Sequence, residues 1–343
     1  EMLRSLVGSE MCIRDRVELQ VDYFTENRSN ILLERTNLPS SMGLEASVEA
    51  NVGRAKSHGV EGALTYQHSF SEDFWLSANA NFTYATSEFL VADEPDYAAS
   101  GLPWRSRIGY SLNQQWGYIA ERLFIDETDI ANSPIQTFGP YMPGDIKYKD
   151  INRDGKIDES DLVPIGYPTE AEINYGFGAT LGYKGFDFSF FFNGLGRKTF
   201  FIDAQQMAPF NNPPVTAAGV GGYTRKTALF KEFADSHWSE SNPDIYAVWP
   251  RLSTDAYDNS NNYQQSTWWM RNGSFLRLKL IELGYTLPHN LTRKIRIEDL
   301  RIYVSGEDLF AGSNFKMWDV EMGGMGIGYP IQKKFNIGLQ VKF

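Results

Sequence analysis

The sequence of 343 residues has only one cysteine, Cys12, and no run of 18 or more apolar residues. A single cysteine excludes a disulfide within the chain and leaves the redox compartment open. The lack of a long apolar run excludes a transmembrane helix. It does not exclude a transmembrane β-barrel, because lipid-facing residues of barrel strands alternate with polar ones.

Basic residues are scarce relative to acidic ones, and residues typical of catalytic sites are scattered. Lys and Arg number 32 against 43 Asp and Glu, giving a net charge of −11, which argues against a nucleic-acid partner. No G-x-S-x-G elbow or P-loop occurs, and no local feature singles out a pair of catalytic carboxylates. None of the four histidines has metal-ligand spacing: His58, His68, His237 and His289. The sequence therefore predicts a protein that is not an enzyme.

Strict alternation of apolar and polar residues is the main pattern that is present. "FNIGLQVKF", residues 335–343, places its apolar residues on one side of an extended strand and its polar residues on the other. The apolar positions are Phe335, Ile337, Leu339, Val341 and Phe343. An aromatic fraction of 14%, rich in Phe and Tyr, also favours strands.

Eight other segments indicate strands, which makes about nine in total. Clear alternation occurs in 74–84, 173–183, 186–194 and 300–306, and Lys184 and Gly185 predict a hairpin turn. Weaker alternation is found in 17–24, 59–68, 107–118 and 275–287.

The length of these strands favours a membrane barrel over a soluble sandwich. Sandwich strands have about 5 to 6 residues, whereas membrane-crossing strands need roughly 9 to 11. Long polar segments at 119–171 and 198–267 fit the outer loops of such a barrel. Tyrosines gather near strand ends as an interfacial girdle requires, at Tyr84, Tyr110, Tyr118, Tyr183 and Tyr285. The predicted fold class is all-β, an antiparallel transmembrane β-barrel with long extracellular loops.

The first 16 residues, "EMLRSLVGSEMCIRDR", lack strand alternation and a sustained helical stripe. They are similar to the translated read-through of a sequencing-library adapter, and "SLVG" is too short for the apolar core of a signal peptide. We therefore expect a non-native leader at 1–16 and barrel wall at 17–343. The alternative is an ordinary N-terminal linker.

Several segments, in order, resemble the C-terminal barrel of SusC/RagA-type TonB-dependent outer-membrane transporters. They are "PGDIKYKDINRDGKIDESDLVPIG" (143–166), "DSHWSESNPDIYAVWPRL" (235–252), "GSFLRLKLIELGYTLP" (273–288), "LRIYVSGEDLF" (300–310) and "YPIQKKFNIGLQVKF" (329–343). The resemblance extends over nearly all of 17–343.

The resemblance implies an outer-membrane location in contact with lipid, and import of oligosaccharides or peptides. It also implies a 22-stranded barrel with an N-terminal plug, energised by TonB and partnered by a SusD-like lipoprotein. About nine strands cannot close such a barrel, and no plug or TonB box is visible, so we expect only the last part of the wall, with TonB contacted through an N-terminal region outside this chain. The terminal Phe343 is similar to the signal that barrel-assembly machinery recognises.

One segment, "DINRDGKIDESD", has the oxygen-ligand spacing of a calcium loop. Positions 1, 3, 5, 7, 9 and 12 are Asp150, Asn152, Asp154, Lys156, Asp158 and Asp161. Gly155 occupies position 6, where the loop turns sharply, and Lys156 would supply its backbone carbonyl. The prediction is a dockerin-like Ca²⁺ site that stiffens a long loop, and the alternative is an Asx-rich surface turn without metal.

Substrate-binding residues are not assigned by the sequence. Five tryptophans in loops or near strand ends suggest sugar stacking, although packing roles are commoner: Trp104, Trp238, Trp249, Trp268 and Trp269. Arg277, Lys279 and Arg301 are predicted to face the lumen, where they contact an anionic ligand or the plug, or pair with neighbouring acids. Two alternative functions remain open: a passive porin or adhesin barrel, and a soluble carbohydrate-binding β-protein.

Overall fold

The computed structural model describes most of the chain. For residues 3–13 and for Ile295 it describes only the backbone. The described ranges are 3–13, 16–36, 42–43, 48–209, 229–253 and 260–343.

A nine-stranded antiparallel sheet, here called the wall, organises the molecule. Its strands are β1 (Leu3–Ile13), β2 (Val17–Glu34), β3 (Glu49–Ser69), β4 (Phe74–Val91), β5 (Ile173–Tyr183), β6 (Phe186–Gly196), β7 (Phe275–Thr286), β8 (Asp299–Ser313) and β9 (Lys334–Lys342). Neighbours in the chain are neighbours in the sheet, so the wall is a meander with β1 and β9 as edges. Within the described residues the wall does not close into a barrel, and the predicted all-β antiparallel class is confirmed.

The predicted number of about nine strands agrees with the wall, but one of the predicted strands does not belong to it. The strand predicted over 107–118 is wrong, since only Gln115–Gly117 is a strand there, and it pairs with Val163–Ile165. Residues 107–114 instead form turns, with Gly109 at a φ of 84°. The alternation in this segment was weak and interrupted by consecutive polar residues, which is why turn formation prevails.

The opening segment contributes the ninth strand instead. β1 pairs along its whole length with β2, although its sequence lacks strand alternation. An edge strand is held by backbone hydrogen bonds, which do not require side-chain alternation. The assignment of 1–16 to a foreign leader and of 17–343 to the barrel stays a prediction.

One face of the wall is apolar across most of its strands. Residues directly opposite each other in an antiparallel sheet share a face. The register aligns Leu283 with Val304 and Val304 with Ile337, and it aligns Gly62 with Phe82. These side chains are exposed, Phe82 by 45% and Ile337 by 83%. The predicted alternation is therefore confirmed, and its apolar rows face away from the protein.

The two ends of the wall differ in the length of their connections. At one end the strands are joined by turns 70–73 and 184–185 and by residues 287–298. At the other end lie the long connections 92–172 and 197–274 and the shorter 314–333, here called the loop body. The predicted contrast between short turns and long loops is confirmed.

The loop body contains short paired strands and short helices. The paired strands are Gln115–Gly117 with Val163–Ile165, Ala120–Leu123 with Ile146–Tyr148, Ile135–Gln136 with Lys156–Ile157, and Thr199–Phe201 with Met270–Asn272. The helices are α1 (Glu127–Ala131), α2 (Ala204–Met207) and α3 (Lys231–Asp235), while α4 (His289–Thr292) lies in the connection at the opposite end. In the portion of the chain described, no helix is long and apolar enough to cross a membrane.

The hydrophobic core lies mainly in the loop body and not in the wall. Its most deeply buried side chains include Leu123, Ile146, Ile157, Phe233 and Trp269. Trp249 joins Phe233 to Trp269, with ring centroids 4.3 and 4.7 Å away. The long connections are thus a packed unit fixed on one end of the wall.

Candidate functional site

A cleft of about 800 Å³ opens in the loop body between residues 125–143 and 237–252. Its apolar lining comes from Ile125, Met142, Pro143, Trp238, Pro243 and Leu252. Its polar lining comes from Asp126, Glu127, His237, Ser239, Glu240 and Arg251. The volume is within the range of small-molecule sites, about 300 to 1,000 Å³.

Trp238 is seated on the backbone of Gly144. The φ of Gly144 is 86°, a left-handed conformation that favours glycine, and a β-carbon there would collide with the indole ring. His237 is held by the chain before it, because its Nδ1 lies 3.0 Å from the Phe233 carbonyl oxygen. Since a carbonyl only accepts, Nδ1 carries the proton in this contact.

Below the cleft, a buried carboxylate ties three segments of the loop body together. Asp145 is fully buried and forms an ion pair with Arg251, with Oδ1 and Nε 2.7 Å apart. Asn262 Nδ2 donates to the same Oδ1 at 2.7 Å, and the backbone N–H of Met142 donates to Oδ2 at 2.9 Å. Burial raises the pKa of Asp145, and the charge of Arg251 opposes this rise.

Neighbouring amides continue this network. Gln136 Nε2 donates to Asn261 Oδ1 at 2.6 Å, and its Oε1 accepts from the Tyr148 N–H at 2.7 Å. Trp269 Nε1 donates to the Asn262 carbonyl at 2.7 Å. Burial raises the pKa of Tyr148 far above its ordinary value. These hydrogen bonds give the cleft a floor of interconnected polar side chains.

The side of the cleft is fixed by Asp129 in α1. Arg122 binds this carboxylate through both oxygens, at 2.5 and 2.9 Å, and Lys147 Nζ donates to it at 3.1 Å. The Ile125 N–H donates to it at 3.1 Å. Hydrogen bonding from Arg122 is the main cause that lowers the pKa of Asp129 far below its usual range. These contacts hold the start of α1, and with it Asp126 and Glu127, at the side of the cleft.

Sequence analysis did not find this network. Asp145, Arg251 and Asn262 are far apart in the chain and lie in segments without periodicity. A weak signal was present in "SNNY" (260–263), because two consecutive asparagines are costly to bury unless both are hydrogen-bonded.

The predicted calcium loop forms a turn in which its own backbone occupies several oxygens. The Gly155 N–H donates to Asp150 Oδ2 at 2.9 Å, and the Asp154 N–H donates to Asn152 Oδ1 at 3.0 Å. Gly155 has a φ of 84°, as the sharp turn predicted at position 6 requires.

Position 12 of the loop fits a metal poorly. Asp161 is fully buried, and its Oδ1 accepts from the Ile151 N–H at 2.7 Å while its Oδ2 accepts from the Asp158 N–H at 3.0 Å. In the part of the chain that is described, no group of three or more His, Cys, Asp or Glu side chains could hold a metal ion. The Ca²⁺ site at Asp150, Asn152, Asp154, Lys156, Asp158 and Asp161 stays a prediction.

The five tryptophans differ in accessibility. Trp249 and Trp269 are 3% and 2% exposed, so their faces pack in the core and do not stack on a ligand. Trp268 packs against the same core. Trp104 Nε1 donates to the Ser160 carbonyl at 2.8 Å. Trp238 is the member of this set that lines the cleft.

The three cations predicted to face the lumen are paired with acids. Arg277 is buried and binds Asp319 at 2.6 Å. Lys279 lies 2.9 Å from Asp308. Arg301 forms ion pairs with two carboxylates, those of Asp187 and Glu282. Of the two roles considered for these cations, the structure therefore has the pairing with neighbouring acids.

Phe343 lies just beyond the end of β9 and is 89% exposed. Its role as an assembly signal stays a prediction.

Comparison with known protein families gives a match over the first part of the chain. The family described as "TonB dependent receptor-like, beta-barrel" matches residues 13–156. This part of the chain is similar to a TonB-dependent receptor-like β-barrel. Such receptors are β-barrel proteins of the outer membrane, and the exposed apolar face of the wall is consistent with that location.

Curated relatives of the receptor barrel align with nearly the whole chain. TonB-dependent receptor P26 of Formosa agariphila is 27% identical over 96% of this chain, and TonB-dependent receptor P3 of the same organism is 24% identical over 98%. TonB-dependent receptor SusC of Bacteroides thetaiotaomicron is 23% identical over 92%. The chain spans about a third of the length of these relatives, 33%, 33% and 29% respectively.

Solved structures show the same fold. The RagAB peptide importer in the open-open state matches all of this chain with a TM-score of 0.63 and 20% identity. The RagAB peptide transporter matches 96% of it with a TM-score of 0.62 and 22% identity. In each case the chain covers 34% of the solved chain. The three curated relatives are receptors by name, and the solved structures are a peptide importer and a peptide transporter by title.

Proposed function

We propose that the chain is part of the wall of an active outer-membrane importer that takes up oligosaccharides or peptides. TonB supplies the energy, and a SusD-like surface lipoprotein is the partner. The proposal is supported by the relationship to SusC and by the likeness to the RagAB peptide importer. The observation that carries it is the packed loop body with a preformed cleft at one end of a lipid-facing wall.

The cleft is the part of this chain that we propose contacts substrate. Trp238 presents an aromatic surface, while Asp126, Glu127 and Glu240 supply hydrogen-bond acceptors around it. Sugars and peptides both bind through apolar surface with a few convergent polar groups, so the lining supports both substrate classes.

The test is uptake by cells that carry the full-length protein. Labelled oligosaccharides and peptides are supplied to cells with and without functional TonB and with and without the neighbouring lipoprotein. We expect uptake of one class, lost when TonB or the lipoprotein is removed. In the variant Trp238→Ala, uptake falls, whereas Trp104→Ala, outside the cleft, serves as the control.

Two other outcomes would favour the alternative functions. Uptake that persists without TonB, together with steady conductance in planar bilayers, would identify a passive porin or adhesin barrel. Extraction of the full-length protein into buffer without detergent would identify a soluble carbohydrate-binding protein.

A further inference from the structure

The register places two borders on the apolar face of the wall. At the short-turn end, Phe74, Tyr183, Phe186 and Tyr285 lie side by side on four neighbouring strands. At the loop-body end, Tyr23, Val60, Tyr84 and Ile173 form the corresponding row. On β4 the borders are ten residues apart, which at about 3.3 Å per residue and a tilt of about 40° gives about 25 Å. This height equals the apolar band of outer-membrane barrels, so the rows mark the two lipid–water interfaces.

Directly above the upper border, the same face becomes polar. The next row is Thr25, His58 and Thr86, and the row after it is Asn27, Lys56 and Glu88. These side chains share the face of Val60 and Tyr84, so they lie at the depth of lipid headgroups.

A cavity of about 340 Å³ is found at this depth, where β4 extends beyond β5. His58, Thr86 and Glu88 line it from the wall, and residues 109–111, Gln114 and residues 166–168 line it from the loop body. Six of the thirteen lining residues carry a hydroxyl or amide group: Thr86, Ser87, Tyr110, Ser111, Gln114 and Tyr167.

One polar atom at this cavity has no partner within the described residues. His58 Nδ1 is shielded from solvent and makes no hydrogen bond there. A buried polar atom of this kind costs free energy unless another group satisfies it. A bound ligand with hydroxyl groups can donate to or accept from this nitrogen.

The charges around the cavity argue against a phosphate as the main ligand. Arg197 pairs with Glu172 at 2.5 Å, and Thr86 Oγ1 donates to the other oxygen of Glu172 at 2.6 Å. The guanidinium group lies over the rings of Tyr167 and Tyr84, at 4.9 and 5.7 Å. Its charge is thus balanced, and Glu88 adds a further negative charge. An uncharged polyhydroxyl group fits this lining better than an anion.

We propose that this cavity binds the saccharide headgroup of an outer-leaflet glycolipid. The sugar hydroxyls bond to His58, Thr86 and the loop hydroxyls, while the acyl chains lie on the apolar rows that begin at Val60 and Tyr84. The occupant is a lipid, because the cavity adjoins the surface that acyl chains cover. This site is separate from the cleft and does not depend on what the importer transports.

The test compares binding of an uncharged glycolipid, a glucosyl diacylglycerol, to the delipidated full-length protein and to three variants. His58→Leu and Thr86→Val remove a nitrogen or a hydroxyl without removing the side chain. His68→Leu is the matched control, since His68 lies on the same strand and face at the opposite border. We expect about tenfold weaker binding for each of the first two variants, the scale of one lost hydrogen bond, and no change for His68→Leu.

Binding is measured by native mass spectrometry, and heat-modifiable electrophoresis confirms that each variant is folded. Two further probes define the ligand: phosphatidylethanolamine vesicles and a free disaccharide. Equal binding of the glucosyl diacylglycerol to wild type and both cavity variants would overturn the proposal. Binding of phosphatidylethanolamine with the same affinity would overturn it as well. So would binding of the free disaccharide that is as tight as that of the glycolipid and is weakened by both cavity variants.

Discussion

At the scale of single residues, Asp129 is the carboxylate whose ionisation matters most for the loop body. Its pKa is lowered mainly by Arg122, so the ionised form stabilises the folded state at any pH above the ordinary carboxyl value of about 3.9. This stabilisation is lost as the pH falls through the lowered folded-state pKa. In Asp129→Asn we expect local opening of residues 120–131 to become easier at neutral pH by about 2 kcal/mol, the scale of hydrogen bonds to a charged group.

Hydrogen exchange of the detergent-purified full-length protein measures this change. The difference between wild type and Asp129→Asn should shrink as the pH falls well below the ordinary carboxyl range, because wild type then loses the same charge. Glu127→Gln is the control, since Glu127 lies in the same helix and is exposed. Equal protection of wild type and Asp129→Asn at neutral pH would contradict the role given to this residue.

Carboxylates of the predicted calcium loop have two different roles: some are available to bind Ca²⁺, and Asp161 holds the backbone of the loop. Asp154 is exposed and Asp150 is half-buried, whereas Asp161 is fully buried and accepts backbone N–H groups. We expect millimolar Ca²⁺ to slow proteolysis of residues 150–161 in wild type but not in Asp154→Ala. Asp161→Ala should loosen the loop with or without Ca²⁺, because the backbone groups it caps lose their partner. If Ca²⁺ protects neither wild type nor any variant, the loop is an Asx-rich turn.

At the scale of elements, the two faces of a wall strand tolerate charge differently. Ala80 lies midway between the borders on the apolar face of β4, opposite Leu64 and Phe177. Its neighbour Asn79 lies on the polar face, opposite Thr65 and Gly178. We expect Ala80→Arg to cost about 2 to 4 kcal/mol of folding free energy in lipid, the value for a lipid-facing arginine near the midplane. Asn79→Arg should cost much less.

Urea titration of the full-length protein folded into lipid vesicles gives both values. The pair of variants adds the same side chain at adjacent positions, so helix and strand propensities cancel. Similar destabilisation by both substitutions would show that the apolar rows do not face lipid.

The wall strands could be predicted because their apolar and polar residues alternate. Segments without alternation could not be predicted in this way. In 74–84 and 173–183 every second residue is apolar because one side meets lipid, and the structure has both strands. Residues 107–118 alternate only weakly, and there the backbone is satisfied by turns and by contact with Phe89. The cleft was not predictable in this way, since Asp145 and Arg251 meet through loop packing and no periodicity records that contact.

At the scale of the whole molecule, the chain consists of a lipid-facing sheet and a loop body that folds around its own core. The two parts bury apolar surface in different ways: the wall against lipid and the loop body against itself. Both edges of the wall, β1 and β9, have unpaired backbone groups on one side, which in lipid must be satisfied by further strands. The rest of the barrel is therefore needed for the wall to be stable in a membrane.

Phe343 is predicted to act in assembly of the complete barrel. It follows β9, whose apolar residues Phe335, Ile337 and Leu339 are 76%, 83% and 62% exposed and thus available to lipid. Phe343→Ala removes the terminal aromatic while leaving the register of β9 with β8 intact. If assembly machinery recognises that aromatic, the variant should show less folded protein in the outer membrane than wild type at equal synthesis.

Phe335→Ala, on the same strand and face, is the control, because it removes a similar lipid contact without changing the terminal residue. Heat-modifiable electrophoresis of isolated outer membranes measures the folded fraction, and an equal loss in both variants would assign the effect to lipid contact and not to recognition.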